Sequence, residues 1–550
     1  MVILLGTVPA LAEVEPPVSK AAPSIILVLS DDQGWSTTSV AMDPNNPKSK
    51  SDYFETPNLE RLAARGMRFS NAYAPAAMCS PTRFSIQYGQ STARTQKGDN
   101  YDAHWAETTR RLQHSRSVPQ MIKAANNDYV CAHLGKWHMR PSPEQLGYDV
   151  STGKTGNGEG TFWALGRIKP NRTKPIPMPV DDPKRIFSLT EKANDFMAQQ
   201  VKAGKPFYMQ LSHYAVHKRL QSLPETLAKY EAKPKGKYHH RADYGGCTED
   251  LDTGLGLLLD KVRELGIEDN TYIIYTSDNG ATGIQGGSHQ INMPLRRGKF
   301  IFWEGGIRVP FIVAGPGVKP NSHSPALASS LDLWATIHDI LNQGQGAKTL
   351  PKEVDSGSLL PILTSGGKGE VQRPNMPEGL VFHCDRGHSW AGTRRQVALR
   401  SGDYKLLVNY YNDGEALLFN VADDLYEWND LSKKEPAKKG EMLAKLDGYL
   451  TRVQATSAAM TPEEVHAMQN IPAKGFGGRS RPEKNGLATE YPVDSFSKRE
   501  SPAVVETIDY RKTNSRPVGI APNSRTLVPR PGIEGEEGYR PTLSLQGKKK

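Results

Sequence analysis

The sequence predicts an α/β protein with a large, mostly parallel central sheet flanked by helices and a smaller C-terminal antiparallel-sheet subdomain. Apolar runs that end in polar pairs, helix-like stretches between them, and a late change to short, closely spaced strands carry that reading. The run Ser24-Ile25-Ile26-Leu27-Val28-Leu29-Ser30 has the pattern of a strand buried on both faces, and it stops at Asp31-Asp32-Gln33-Gly34. The design returns in Thr271-Tyr272-Ile273-Ile274-Tyr275-Thr276, which stops at Ser277-Asp278-Asn279-Gly280. Similar runs at 128–134 and 206–211 lead into Gly135-Lys136-Trp137-His138 and into Ser212-His213-Tyr214-Ala215-Val216-His217, and a further run covers 308–314. Helices are predicted at 56–65, closed by Gly66, and at 251–265, closed by Gly266.

After the Gly-rich connection 364–370 the pattern changes. Strand candidates at 379–383, 396–400, 404–408 and 416–420, followed by a helix at 439–455, predict a small antiparallel sheet with one covering helix. The organisation is therefore a leader at 1–22, an α/β domain at 23–372, an antiparallel subdomain at 373–460 and an extended, basic tail at 461–550. Within the leader, Val2 to Ala12 is apolar and ends in Ala10-Leu11-Ala12, a small-x-small pattern that predicts signal-peptidase cleavage and a periplasmic or secreted protein; a basic n-region is missing.

Composition narrows the function classes. No apolar run is long enough to span a bilayer, and 37% hydrophobic with 23% charged residues is ordinary for a globular enzyme. Four scattered cysteines, Cys79, Cys131, Cys247 and Cys384, have neither metal-ligand spacing nor the density of a disulfide framework. The net charge of +10 suggests a polyanionic partner, but residues 471–550 hold 15 Lys/Arg against 9 Asp/Glu. More than half of the excess thus solvates the tail, and no nucleic-acid motif is present.

The stretch Cys79-Ser80-Pro81-Thr82-Arg83 reads as a helix start, with Ser80 as cap and Pro81 in the first turn. Cys79 then lies at the positive end of that helix, with Arg83 one turn further on, an arrangement suited to a tetrahedral anion. Asp31, Asp32, Asp278 and Asn279 offer only oxygen ligands, which favour Ca²⁺ or Mg²⁺ over zinc. Either pair alone reads equally well as a helix cap or a turn. Gathered at two buried strand ends, however, the carboxylates repel one another unless a cation lies between them. Lys136, His138, His217 and Lys299 add cationic or proton-carrying groups that could clamp an anion beside the metal. The residues by themselves predict a metal-assisted hydrolase of an anionic ester, without choosing sulfur over phosphorus.

The motifs Asp31-Asp32-Gln33-Gly34, Thr56-Pro57-Asn58-Leu59, Cys79-Ser80-Pro81-Thr82-Arg83, Gly135-Lys136-Trp137-His138, Ser277-Asp278-Asn279-Gly280 and Glu304-Gly305-Gly306-Ile307-Arg308-Val309-Pro310 resemble, in order, those of the formylglycine-dependent type I sulfatases of the alkaline phosphatase superfamily. The likeness covers residues 23–460. It implies that a formylglycine-generating enzyme oxidises Cys79 to an aldehyde, whose hydrate attacks sulfur with one hydroxyl and expels sulfate with the other. It also implies that Asp31, Asp32, Asp278, Asn279 and residue 79 hold Ca²⁺, with Mg²⁺ as second choice. Arg83, Lys136 and His138 would hold the diol, Lys299 a sulfate oxygen, and His217 the sulfate and the leaving alcohol. His217 is chosen over His213 because it matches the family's Ala-x-His segment. The chain departs from the family at Lys218-Arg219, where Thr-Pro is usual, and at Arg297-Gly298, where Gly-Gly is usual. The expected substrate is a sulfated glycan rather than a simple aryl sulfate. The alternatives are a phosphonate or phosphate ester hydrolase using the same nucleophile and a noncatalytic polyanion-binding protein that keeps the fold.

Overall fold

The structure, a computed structural model, describes residues 22–100, 104–160, 180–282, 291–385, 395–410 and 415–456. The predicted tail, and the predicted leader apart from residue 22, lie outside the described residues. Strands β1 (Ser24–Ser30), β2 (Met67–Phe69), β3 (Ala72–Tyr73), β4 (Val130–Gly135), β5 (Val150–Ser151), β6 (Phe207–Ser212), β7 (Thr271–Ser277), β8 (Phe311–Ala314), β9 (Ser322–Ser324) and β10 (Ala328–Ser329) belong to the larger part. Eight of them form one sheet in the order β5-β4-β6-β1-β7-β8-β2-β9, while β3 and β10 pair separately. All neighbours in the large sheet run parallel except β8, which is antiparallel to both β7 and β2.

The continuous apolar run of β1 has the expected cause. Ile25, Leu27 and Leu29 enter the hydrophobic cluster on one face of the sheet, and Ile26 and Val28 enter the cluster on the other. Helices Cys79–Tyr88, Val118–Ala125 and Leu333–Leu341 cover the first face, and helices Pro57–Arg65, Ile186–Lys202 and Ala242–Glu264 cover the second. A strand packed between two helical layers has no wet face and therefore no polar alternation.

The helix expected at 251–265 begins at Ala242 instead. Gly245, Gly246, Gly254 and Gly256 weaken its sequence pattern, yet close packing requires some of them: a side chain at Gly245 would meet the Tyr230 ring at 2.6 Å, and one at Gly254 would meet Ile186 at 2.8 Å. Helix-to-helix proximity thus outweighs the propensity cost of glycine.

The C-terminal strands β11 (Leu380–Cys384), β12 (Gln396–Ser401), β13 (Tyr404–Asn409) and β14 (Glu415–Asn420) form an antiparallel sheet in sequential order, covered by helix Pro436–Arg452. Its inner face shares one hydrophobic cluster with Tyr73, Ala77, Met78, Phe302, Trp303 and Ile307. The small sheet therefore packs directly behind the start of helix Cys79–Tyr88 and the loop that carries Lys299.

Candidate active site

Four parallel strands stop level with one another. Register pairs Ser30 with Ser277, Leu29 with Ser212, and Ser212 with Gly135. The residues that follow each strand consequently enter one space: Asp31-Asp32 after β1, Asp278-Asn279 after β7, Lys136 to His138 after β4, and the segment ending in His217 after β6. This convergence is what an open α/β sheet offers at the carboxyl ends of its strands. Backbone bonds lock it, with Asp31 N donating to Ala215 O at 2.8 Å and Asp278 N to Ser30 O at 3.1 Å. Gly135 makes the exit of β4 possible, since at φ +95° a Cβ there would lie 2.0 Å from Ser212 O.

Helix Cys79–Tyr88 enters the same space from its amino end, and all ten of its residues are buried. The predicted cap is corrected here. Met78 is the capping position because its carbonyl already accepts Thr82 N–H at 3.2 Å, so Ser80 becomes the second helical residue. The Ser80 amide is satisfied instead by Asn100 Oδ1 at 3.0 Å. Cys79 Sγ then lies 3.4 Å from Asp31 Oδ1, 3.8 Å from Asp32 Oδ1 and 2.9 Å from Lys299 Nζ.

The cations interleave with the carboxylates. Lys136 Nζ is 2.5 Å from Asp31 Oδ2, Lys299 Nζ is 2.5 Å from Asp32 Oδ1, and Arg83 holds Asp278 Oδ2 at 2.8 Å while donating to Lys136 O. Burial favours a neutral Asp32, but the Lys299 and Lys136 ammonium groups outweigh it and hold the carboxyl well below its usual range. Asp278 goes the other way, raised by burial and by Asp31 against the pull of Arg83. Burial and Asp278 push the Cys79 thiol up, against Lys136 and Lys299, so it keeps its proton.

His217 donates from Nδ1 to Lys218 O at 2.7 Å, which leaves Nε2 as the free ring nitrogen, 3.7 Å from Asp32 Oδ2. Burial and the surrounding lysines keep this ring neutral, and His138 is kept neutral by the same causes. His213, the residue that follows β6, is also buried, but none of these charges acts on it; burial alone pushes it down to about 4.

A family model for sulfatases matches residues 23–343. The chain belongs to the sulfatase family. It is 30% identical over 413 residues to the N-acetylgalactosamine-6-sulfatase of Canis lupus familiaris, covering 69% of this chain and 74% of that one. To a sulfatase of Formosa agariphila it is 27% identical over 506 residues, covering 76% and 86%. Among solved structures, Ps i-CgsB in complex with k-i-k-neocarrahexaose superimposes with a TM-score of 0.62 at 23% identity, over 78% of this chain and 93% of that one, a likeness of fold. The protein is a sulfuric ester hydrolase, and its fold is that of the alkaline phosphatase superfamily.

For a sulfatase the family implies a metal ion, and the donors here suit a hard one. Asp31, Asp32, Cys79 and His217 each offer a ligand atom within 4.8 Å of the others. Asn279 turns its Nδ2 to Asp32 Oδ1 at 2.7 Å and leaves Oδ1 buried with no hydrogen-bond partner, an acceptor directed at no donor. Carboxylate and amide oxygens in a dry site fit a Ca²⁺ or Mg²⁺ ion.

Two residues near the sulfatase site escaped sequence reasoning. Thr282 donates from Oγ1 to Asp32 Oδ2 at 2.8 Å, although nothing in its local sequence marks it out. Lys184 is fully buried, its Nζ has no hydrogen-bond partner, and its charge acts on Asp31, Asp32 and Lys136; burial pulls it down to about 8. Nothing in the local sequence around Lys184 marks it out.

Proposed function

We propose that this sulfatase hydrolyses sulfate esters of carbohydrates, with Cys79 matured to formylglycine and Ca²⁺ bound by Asp31, Asp32, Asp278, Asn279 and residue 79. The observation that carries the reading is the meeting of position 79 with Asp31, Asp32 and Lys299 inside 4 Å, at the amino end of a buried helix. A thiol with a raised pKa is a poor nucleophile, so the arrangement suits a residue that needs no thiolate. Once formed and hydrated, the aldehyde supplies the hydroxyl that attacks sulfur and a second one through which sulfate leaves. A hard cation held by Asp31, Asp32, Asp278 and Asn279 would supply Lewis-acid polarisation of a sulfate oxygen.

The remaining roles belong to the chain itself. Lys299, poised beside Sγ, binds a sulfate oxygen and neutralises the charge that grows on it. Arg83, fixed by Asp278 and by Lys136 O, orients residue 79, and Lys136 with His138 completes the polar wall around it. Nε2 of His217 faces the departing alcohol, its orientation set by the bond from Nδ1 to Lys218 O, and the ring, neutral in the resting site, takes up at Nε2 the proton it delivers once the negative charge of the bound sulfate ester favours the imidazolium. A carbohydrate alcohol is a poor leaving group, which is why a proton donor at this position matters more than it would for an aryl sulfate. The name of the canine relative, which specifies an N-acetylgalactosamine sulfatase, supports the carbohydrate class. Export to the periplasm or beyond, read from Val2 to Ala12, belongs to the same proposal, as does a formylglycine-generating enzyme as maturation partner.

Peptide mass spectrometry across residues 72–83 of protein from its native host should show the aldehyde in place of the thiol. Cys79→Ala should lower kcat on sulfated saccharides by at least about 10⁴-fold while the folded state survives. Unmodified Cys79 in a fully active enzyme, or undiminished turnover by the variant, would overturn the mechanism.

A further inference from the structure

His217 is followed by a residue of opposite character to everything before it. Residues 211–217 are buried, whereas Lys218 and Arg219 are exposed. The rim of the site thus begins at Lys218. Its backbone is tied to the catalytic machinery, because Lys218 O accepts the hydrogen bond that orients His217, whose other nitrogen faces Asp32. Among the described residues no carboxylate pairs with the Lys218 ammonium, and the charges that act on it are Lys299, Asp32 and Arg219. Asp32 is already engaged by Lys299, Asn279 and Thr282.

Within the site three carboxylates, Asp31, Asp32 and Asp278, face three cations, Arg83, Lys136 and Lys299. Lys184 and Lys218 stand beyond that balance, the first buried and the second exposed. Like charges held together without acidic partners repel unless an anion joins them. The scissile sulfate is held by the inner cations, so the outer one is directed at something else on the substrate.

We propose that Lys218 is a specificity-determining residue that recognises a second anionic group, a carboxylate or a further sulfate, on the alcohol part of the substrate. The preferred substrates are then sulfate esters of polyanionic saccharides, in which acidic groups neighbour the ester. The assignment rests on the reading of His217 as the residue on the leaving-alcohol side. The charged rim also draws such substrates in from solution, an effect that salt weakens.

Phenyl sulfate and 3-carboxyphenyl sulfate test the idea, since their leaving phenols have similar acidity and differ by one carboxylate. The wild-type enzyme should favour the carboxylated ester by about fivefold in kcat/KM, mainly through KM, and added salt should erode the difference. In Lys218→Gln the ratio should fall to about one, and in Lys218→Arg it should persist. Equal kcat/KM for the two esters in the wild type, or an unchanged preference in Lys218→Gln, overturns the subsite. Turnover of phenyl sulfate by the wild type reports on the sulfatase reading separately, so either idea can fail without the other.

Discussion

At the strand ends, Asp31, Asp32 and Asp278 share one buried space with Lys136, Lys299 and Arg83. Between the loop 296–308 and the C-terminal sheet, Glu304 and Glu427 share another with Lys405 and Arg308. In the second cluster every carboxylate oxygen lies within 3.3 Å of a cation or a donor, Glu427 Oε1 through its ion pair with Lys405 and without a hydrogen bond. Lys405 Nζ bridges Glu304 Oε1 at 3.0 Å and Glu427 Oε1 at 2.8 Å, Glu304 Oε2 accepts from Tyr73 and faces Arg308, and Glu427 Oε2 accepts the Glu304 amide at 2.8 Å. In the first cluster Asn279 Oδ1 has no hydrogen-bond partner, burial and then Asp31 raise Asp278, and a protonated thiol is wedged between acids. Similar residue types thus serve opposite ends: one cluster is a joint that fastens the 296–308 segment to the C-terminal sheet, and the other keeps polar atoms in readiness for groups from outside.

The sharpest way to test that contrast is to withdraw the metal. Exhaustive chelation followed by assay in metal-free buffer should reduce activity by at least about a hundredfold, and Ca²⁺ should restore it. The melting temperature should fall as well, because an ion that binds only the folded state stabilises it by mass action. A chelated enzyme with full activity would mean that the strand-end cluster is as self-sufficient as the other one.

The reverse experiment breaks the joint. Lys405→Met leaves Glu304 and Glu427 buried face to face, which should cost about 3–5 kcal/mol in denaturant unfolding. Specific activity of the folded fraction should drop less than about tenfold, since Lys405 touches no reacting group. Adding Glu427→Gln should recover part of the lost stability, because the two substitutions act on one network and cannot be additive. Equal stability of Lys405→Met and the wild type would show that the second cluster fastens nothing.

The two clusters also differ in how far the sequence reveals them. The strand-end residues were legible because each follows an apolar run: a strand that ends abruptly in Asp31-Asp32 or Asp278-Asn279 announces both its own end and the site beyond it. The four C-terminal strands, from Leu380–Cys384 to Glu415–Asn420, were legible within a residue or so for the same reason of short-range pattern. Glu427 and Lys405 were not, since a buried ion pair looks like two surface charges until the fold brings them together. Short strands such as Val150–Ser151 carry too few residues for any period, and the Gly-rich half of helix Ala242–Glu264 hides its periodicity in close packing. Thr282 and Lys184 depend on tertiary neighbours alone.

The smallest expected effect separates the clusters by pH. Burial, opposed by Lys405 and reinforced by Glu304, pushes Glu427 up to about 7 from an ordinary value of 4.5. Below pH 4.5 the group is protonated in both folded and unfolded chains and has no influence. As pH rises from 4.5 to 7 the unfolded chain ionises first, so the folded state holds a proton that the unfolded state has released, and stability declines with rising pH. Above 7 both forms are ionised and the decline from this group stops. Glu427→Gln has no such proton, so its melting temperature should lose less than that of the wild type between pH 5 and 8, by a few degrees at most. Parallel curves for the two proteins across that window would mean that Glu427 stays ionised throughout and that Lys405, rather than burial, sets the charge state of the joint.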